Sequence, residues 1–379
     1  MTLEVDVLIV GSGPAGLSTA MHLVGDHGFA AERVVVLEKA RHPRPKLCGG
    51  GISGFARRAL GRLNLPWPLP LPQTPVPTTH FTYQGNTVTL TNPDRVFTVF
   101  ARPAFDAYLA EQARRRGVRL HEEEPLLRLS PADGGWQAQT PRGRYQAKIV
   151  VAADGSRGTL RNWVISRRHH ATARVLESIT PSDGRLVRER VAFFDFTPVR
   201  QHLQGYLWTF PLYDGRSTAC NQGVYDARVA RRAAKAPLPS LLHAAFPHSQ
   251  KPQGHPIHLF SPFQRLARPG LLLVGDAAGT DPLFGEGIGP ALAYGEVAAQ
   301  TIAAAFRHRD FRLRDYRQRV LFSPLGRYLL LRWAVAWLGY RLAPHRLPMA
   351  VIWGFAHFLA FIANAITARR KTHAHFADQ

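Results

Sequence analysis

Three glycine-centred stretches recur in an order that leaves the fold little freedom: Gly11-Ser12-Gly13-Pro14-Ala15-Gly16, Ala153-Asp154-Gly155-Ser156, and Val274-Gly275-Asp276-Ala277-Ala278-Gly279. The first follows the apolar run Val5 to Val10, which has strand propensity. Gly11 permits a tight turn, Gly13 lets the backbone approach a pyrophosphate, and Gly16 lets the next helix pack close to the strand. That helix, expected over residues 14–24 and opened by Pro14 and Ala15, offers free N–H groups and its positive dipole end to phosphates. A second apolar run, Val34 to Leu37, ends in Glu38, 22 residues beyond Gly16. An acidic side chain there can accept both hydroxyls of a ribose. The ligand-free alternative is a glycine-rich turn between strand and helix. On its own the first stretch does not separate one dinucleotide from another. The three together, at these separations, point to FAD held by distant parts of the chain.

With 379 residues and 45% hydrophobic content, the chain is long enough for two or three domains and a large core. Only Met1 to Glu4 precede the first strand, so no signal or transit peptide is expected. Two cysteines, Cys48 and Cys220, argue against a disulfide framework and fit a reducing, cytoplasmic compartment. The 17 histidines lack metal-ligand spacing, so no metal site is expected. The formal charge of +22, carried mostly by arginine, suits an anionic lipid surface, a diphosphate substrate or an acidic electron-donor protein, and equally a GC-rich genome. No nucleic-acid-binding motif accompanies it, so a nucleic-acid partner is not expected.

The expected architecture is α/β (α+β overall). A discontinuous Rossmann-like FAD-binding domain takes residues 1–60, 97–164 and 262–306. It is interrupted by a β-rich substrate domain from 61–96 and 165–261, and a C-terminal helical region, 307–379, follows. Residues 61–80 are proline-rich and read as an exit loop. Phe81 to Thr91 alternates around Gly85-Asn86, a hairpin signal. Residues 103–116 read as a helix opened by Pro103, and 288–306 as a long helix. The last region is basic and holds two apolar stretches, Tyr328 to Ala343 and Leu347 to Ala368. The second has no charged residue and ends at Arg369-Arg370-Lys371. It is long enough to cross a bilayer or to lie in its interface, with the basic cluster on the cytoplasmic side. A buried helix pair packed on the flavin domain is the soluble alternative. Peripheral association with the cytoplasmic face of a membrane, through residues 328–371, is the expectation.

The three stretches resemble the FAD enzymes of the para-hydroxybenzoate hydroxylase fold. More sharply, the chain resembles the geranylgeranyl reductase family. Arg44-Pro45-Lys46-Leu47-Cys48-Gly49-Gly50-Gly51 is similar to the basic Cys-Gly-Gly segment of those reductases, Tyr206-Leu207-Trp208-Thr209-Phe210-Pro211 to their aromatic strand, and Gly275 to Ala291 to their flavin segment. The resemblance covers roughly residues 1–310. It implies that Gly11, Gly13, Pro14, Ala15, Gly16, Glu38 and Lys39 meet the adenosine side of FAD, with Arg102 near the pyrophosphate and ribityl chain. Asp154 and Gly155 would shape the site, and Asp276, after Gly275, would bind the ribityl hydroxyls. Pro282, Gly285, Gly287 and Ile288 would approach the flavin ring beside Cys48 and Gly49. The helix after Gly287 would point its N-terminus at the ring, favouring the negative charge that develops on reduction.

The implied activity is saturation of isolated carbon–carbon double bonds in a polyprenyl chain, with electrons from NADPH or a reduced ferredoxin. Such a reaction needs an apolar wall, a proton donor and a dry site. Tyr206, Trp208, Phe210 and Phe284 are candidates for the wall, and equally for plain core. Cys48 lies two residues after Lys46, and a nearby cation with free backbone N–H groups makes a thiol reactive. It is a candidate for catalysis, or a small residue packed beside the ring. Lys46 and Arg44 suit a substrate phosphate or a solvated loop face. The alternative is an FAD-dependent monooxygenase, hydroxylase or epoxidase, acting on an apolar or quinone-like substrate. A halogenase, a quinone-linked electron-transfer flavoprotein and a non-catalytic prenyl escort are more distant readings. Two cysteines cannot build an iron–sulfur cluster within this chain.

Overall fold

The computed structural model describes residues 2–92, 96–165, 172–230, 234–249 and 251–377, with side chains described to residue 367. Strands and helices are numbered along the chain. The apolar runs of the sequence build one mainly parallel sheet. Its strands are β1 (Thr2–Val10), β2 (Val34–Leu37), β8 (Arg119–His121), β11 (Gly143–Ala152), β17 (Ala267–Arg268) and β18 (Leu271–Leu273), in the order β17-β18-β11-β1-β2-β8. β10 (Gly135–Thr140) pairs antiparallel with β11, and β9 (Arg128–Ala132) lies beyond it. The buried runs Val7 to Val10, Val34 to Leu37, Ile149 to Ala152 and Leu271 to Leu273 form its centre, as continuous apolar strands of a sheet covered on both faces do. The three glycine stretches leave β1, β11 and β18, which are neighbours, so the sheet brings them to one edge.

α1 (Pro14–Gly25) packs on α3 (Arg102–Arg115) and α6 (Ile288–His308). A Cβ at Gly295 would fall 2.5 Å from the Ser18 side chain, so α1 and α6 approach only because that position is glycine. Ser18 Oγ donates to Leu292 O across the same contact, at 2.7 Å.

A second, largely antiparallel sheet contains β5 (Thr78–Tyr83), β6 (Asn86–Thr91), β12 (Thr172–Pro181), β13 (Val191–Asp195), β14 (Gly205–Tyr213), β15 (Thr218–Asp226) and β16 (Gln253–His258). Its order is β16-β12-β15-β14-β13-β5-β6. The β5–β6 hairpin turns at Gln84-Gly85, with φ of 50° and 82°, the left-handed pair that the twist of a tight hairpin demands. A small third sheet joins β3 (Gly51–Ser53), β7 (Phe97–Val99) and β4 (Thr74–Val76). β4 lies inside the proline-rich segment read above as a loop. Pro75 is tolerated because β4 is an edge strand, where the missing N–H costs no ladder bond.

Among the shorter helices are α2 (Gly54–Arg62), α4 (Arg185–Glu189), α5 (Leu238–Ala245) and α7 (Tyr316–Phe322). Ser323 caps α8 (Pro324–Leu342), its Oγ accepting the Gly326 N–H. α9 (Arg346–Ala377) carries Met349, Ile352, Trp353, Ala356 and Ala360 on one face, at helical spacing, and packs them on Tyr83 and Val88 of the second sheet. Asn364 brackets the open edge of β6: its amide accepts the Thr91 N–H and donates to Thr89 O, both at 2.9 Å. α8, by contrast, contacts α6 and α7. α9 thus covers the second sheet's edge, whereas α8 bridges the parallel sheet's helices and the second sheet's core, where its Ala336 and Tyr340 are buried.

Candidate active site

The first stretch forms a cradle made of backbone. Gly11 has φ of 109°, and a Cβ there would fall 2.3 Å from Ala153 O. A Cβ at Gly16 would fall 2.0 Å from Gly11 O. Gly13 opens α1 with no side-chain cap, Pro14 follows, and nothing lies within 4 Å of a Cβ built on Gly13. The first turn of α1 therefore has no side-chain cap for its N–H groups. Gly275, φ of 58°, sits with its would-be Cβ 2.8 Å from Ala15, which brings the third stretch onto the same helix start.

Glu38 is buried beside the cradle. Its Oε2 accepts the Ser12 N–H (3.1 Å) and Ser12 Oγ–H (2.6 Å), and Oε1 accepts the Ala40 N–H (3.1 Å). Burial works against its charge, but Arg44 at 3.3 Å and these donors hold the carboxyl below its usual range. Arg44, read above as a phosphate ligand or a solvated face, is instead turned inward to Glu38 and Asp106. Arg102 is buried and bidentate to Asp106, at 2.9 and 3.0 Å. Its charge survives burial because Asp106 and Cys48 face it. Lys39 is exposed. Asp154 accepts the Leu160 N–H through Oδ2 at 2.9 Å, whereas its buried Oδ1 has no partner, and burial pushes its carboxyl up. Gly155 is left-handed, φ of 76°.

The segment from Asp276 to Ile288 forms the next wall. Asp276 faces Lys46, with Oδ2 3.9 Å from Nζ, and its Oδ1 lies 3.5 Å from a Cβ built on Gly287, the residue that opens α6. Ile288 is buried at the start of that helix. Pro282 O accepts the Tyr225 hydroxyl at 3.0 Å, and a Cβ at Gly285 would meet the Tyr225 ring at 2.9 Å. α8 grips this loop from behind. Arg332 pairs with the fully buried Asp281 at 2.8 Å, Tyr328 donates to Glu286, and Tyr340 donates to Leu283 O at 2.5 Å. Ser53 donates to the other Glu286 oxygen at 2.6 Å.

Cys48 lies opposite, held against the second sheet. Its N–H donates to Glu177 Oε1 on β12 at 3.0 Å, and its carbonyl accepts the Asn221 amide from β15 at 3.3 Å. The same amide donates to Glu177 Oε1 at 3.0 Å, and Asn221 Oδ1 accepts the Trp208 indole N–H from β14 at 2.8 Å. A Cβ at Gly49 would meet the Phe210 ring at 2.9 Å. Tyr206 is buried, donates to Phe284 O at 2.5 Å, and sits in one aromatic cluster with Phe194, Phe210 and Phe284. The two distant segments that carry the reductase resemblance, 44–51 and 206–211, therefore meet face to face.

A family model for an FAD binding domain matches residues 4–318, well over half of the chain. The chain belongs to that family. It is an FAD-dependent oxidoreductase. Digeranylgeranylglycerophospholipid reductase 3 of Methanosphaera stadtmanae is 25% identical over 354 residues, 87% of this chain and 86% of that protein. Menaquinone reductase of Mycolicibacterium smegmatis is 27% identical over 349 residues, 80% and 78% of the two chains. A geranylgeranyl bacteriochlorophyll reductase-like protein of Thermoplasma acidophilum shares the fold, with a TM-score of 0.74 and 21% identity over 96% of this chain and 92% of that one. At family level these relatives agree with a polyprenyl reductase.

The residues of this flavoenzyme fit the cofactor. The uncapped start of α1 suits a pyrophosphate, and the single bond on Glu38 Oε1 leaves a lone pair for a ribose hydroxyl. The orphaned Asp154 oxygen and the uncapped start of α6 complete the set. Sequence reasoning missed Glu177, Asn221 and His255. Glu177 is 2% exposed, its Oε2 has no partner, and burial pushes its carboxyl up against the bonds from Asn221 and Cys48. His255 on β16 is held neutral, its pKa lowered to about 4 by burial and by Lys46. No spacing signal marks these three, because they sit on separate strands and converge only through the sheet order.

Proposed function

We propose that this flavoenzyme saturates carbon–carbon double bonds of a geranylgeranyl-type polyprenyl chain. The observation that carries the reading is the meeting of the Cys48 loop with the aromatic strand Tyr206 to Phe210, which gives a polar, thiol-bearing loop one apolar wall. FAD, when bound and reduced, would supply the hydride, its two electrons coming from NADPH as a hydride or from a reduced ferredoxin one at a time with a proton from solvent. Saturation of one bond takes that hydride and one proton. The chain's own part is to exclude water and to deliver the proton. Trp208 and Phe210 form the apolar wall, the Trp208 indole N–H being satisfied by Asn221. Glu177 and Asn221 fix the Cys48 backbone, so the thiol is presented at a set position. Cys48 is the candidate proton donor, and Lys46 and Asp276 are the charged pair beside it.

The outer face of the C-terminal pair supports peripheral membrane association, as a cytoplasmic protein. Val351, Phe355, Phe358, Phe361 and Ile366 on α9 and Leu331 on α8 are each more than half exposed. With the opposite face of α9 packed on the second sheet, the helix lies along the protein rather than away from it, a pose suited to the interface plane of an anionic bilayer. An acidic electron-donor protein fits the same overall charge.

The test is anaerobic incubation of chemically reduced protein with a panel of prenyl substrates, scored by mass. A gain of two mass units per bond is expected. No gain on any chain, with oxygen uptake coupled to NADPH consumption, would instead favour an FAD monooxygenase.

A further inference from the structure

A cleft of about 690 Å³ opens between the β5–β6 hairpin and α9. Arg200, Arg346 and His357 line it, with Gln84 at the rim and Tyr83 and Trp353 along its floor. Arg346, Trp353 and His357 share one helix face, at spacings of seven and four residues. No carboxylate is among the residues lining the cleft, and neither arginine has an ion pair among the described residues. Trp353 is 9% exposed and its indole N–H has no acceptor. Buried donors normally find partners, and unpaired guanidinium groups in a cleft are the recognition elements for phosphate.

The cleft is joined to the reductase site by rings. Trp353 lies 6.0 Å from Phe196, Phe196 5.5 Å from Tyr206, Tyr206 5.1 Å from Phe194, and Phe194 5.2 Å from Phe210. Phe210 packs on Gly49, next to Cys48. A continuous series of aromatic rings therefore runs from a cationic cleft at the surface to the Cys48 loop. Phe196 and Phe210 are the partly exposed members, and the buried Tyr206 and Phe194 between them are the rings that must turn for a chain to enter.

We propose that this cleft is the headgroup site of the substrate: Arg200, Arg346 and His357 bind the phosphate of a prenyl amphiphile whose chain follows the aromatic path toward Cys48. The inference rests on the prenyl reductase reading and narrows it, since a quinone or free alcohol headgroup has no charge for the two arginines to meet. It also gives the C-terminal helix a part in substrate selection.

The test is calorimetric titration of the flavin-loaded protein with geranylgeranyl diphosphate and with geranylgeraniol. The wild-type chain is expected to bind the diphosphate at least about tenfold more tightly than the alcohol, a preference that weakens with salt. Arg200→Ala with Arg346→Ala is expected to abolish the preference while leaving alcohol affinity and flavin content unchanged. Both residues are exposed, so folding should survive, and flavin content checks this. Retention of the preference in the double variant overturns the proposal, as does its loss in Lys46→Ala alone. Flotation with phosphatidylglycerol vesicles separates the two sources of phosphate. If the double variant loses vesicle binding yet keeps its preference for soluble diphosphate, the cleft holds bilayer lipid and the proposal fails. A phosphate preference without mass gain on any chain would sink the reductase reading and leave the cleft standing. Mass gain without the preference would do the reverse.

Discussion

The nucleotide cradle and the Cys48 wall are built from different material. The cradle is backbone: Gly11, Gly16 and Gly275 each sit where a Cβ would strike a neighbour within 3 Å. The wall is side chain: Glu177, Asn221 and Trp208 hold Cys48 through a hydrogen-bond relay across three strands. Backbone approach admits one residue type and so leaves a written signature. A side-chain relay can be assembled from many residue types at many positions, and it leaves none. The cradle should accordingly fail outright when altered, and the wall should fail by degrees.

The largest effect is expected at the cradle. Gly16→Val puts a branched side chain where the Gly11 carbonyl lies, and neither backbone can yield. A loss of about 4 kcal/mol or more is expected, seen as purified protein without flavin absorbance. A yellow, fully loaded variant would break the contrast. Next comes the grip of α8 on the loop from Asp281 to Glu286. Arg332→Ala strands the fully buried Asp281 carboxylate, a loss of about 3–5 kcal/mol in urea unfolding. Much of it should return in Arg332→Met with Asp281→Asn, which removes both charges.

The wall should respond more gently. In a Cys220→Ser background, Glu177→Ala frees the Cys48 N–H and should speed iodoacetamide labelling of Cys48 about tenfold, the effect of losing roughly 1–2 kcal/mol of restraint. Glu177→Gln keeps an acceptor at the same place and should label at nearly the wild-type rate. Equal rates in Ala and wild type would mean that the loop is held without Glu177. The smallest effect concerns His255, whose pKa falls from 6.5 to about 4 on folding. As pH drops through that window the unfolded chain takes up a proton that the folded chain refuses, so stability is lost toward acid. His255→Gln should flatten the fall in melting temperature between pH 7 and pH 5.

The same division explains what could be read in advance. The strands at Val5, Val34, Ile149 and Leu271, the helices near Pro14, Pro103 and Ile288, and the hairpin at Gly85 were legible because apolar period and turn chemistry are local. The β4 edge strand was hidden by its prolines, since pairing with β7 depends on a partner more than twenty residues away. Cys48 was visible through its glycines, but its anchors were not. Arg44 looked like a free cation until Glu38 and Asp106 were placed around it. The role of α8 was equally out of reach, because Arg332 interrupts an apolar stretch and its carboxylate partner lies 51 residues earlier.

That last contact bears on how much chain makes a working enzyme. The FAD binding domain model ends at residue 318, yet Tyr328, Arg332 and Tyr340 lie beyond it and hold the loop from Asp281 to Glu286. A fragment trimmed to the shared domain would carry every glycine of the signature and still expose Asp281 and Glu286 without their counterparts. The end of the family model and the last of these contacts are separated by most of α8. Any expression or engineering effort should therefore take residue 342, rather than 318, as its earliest cut.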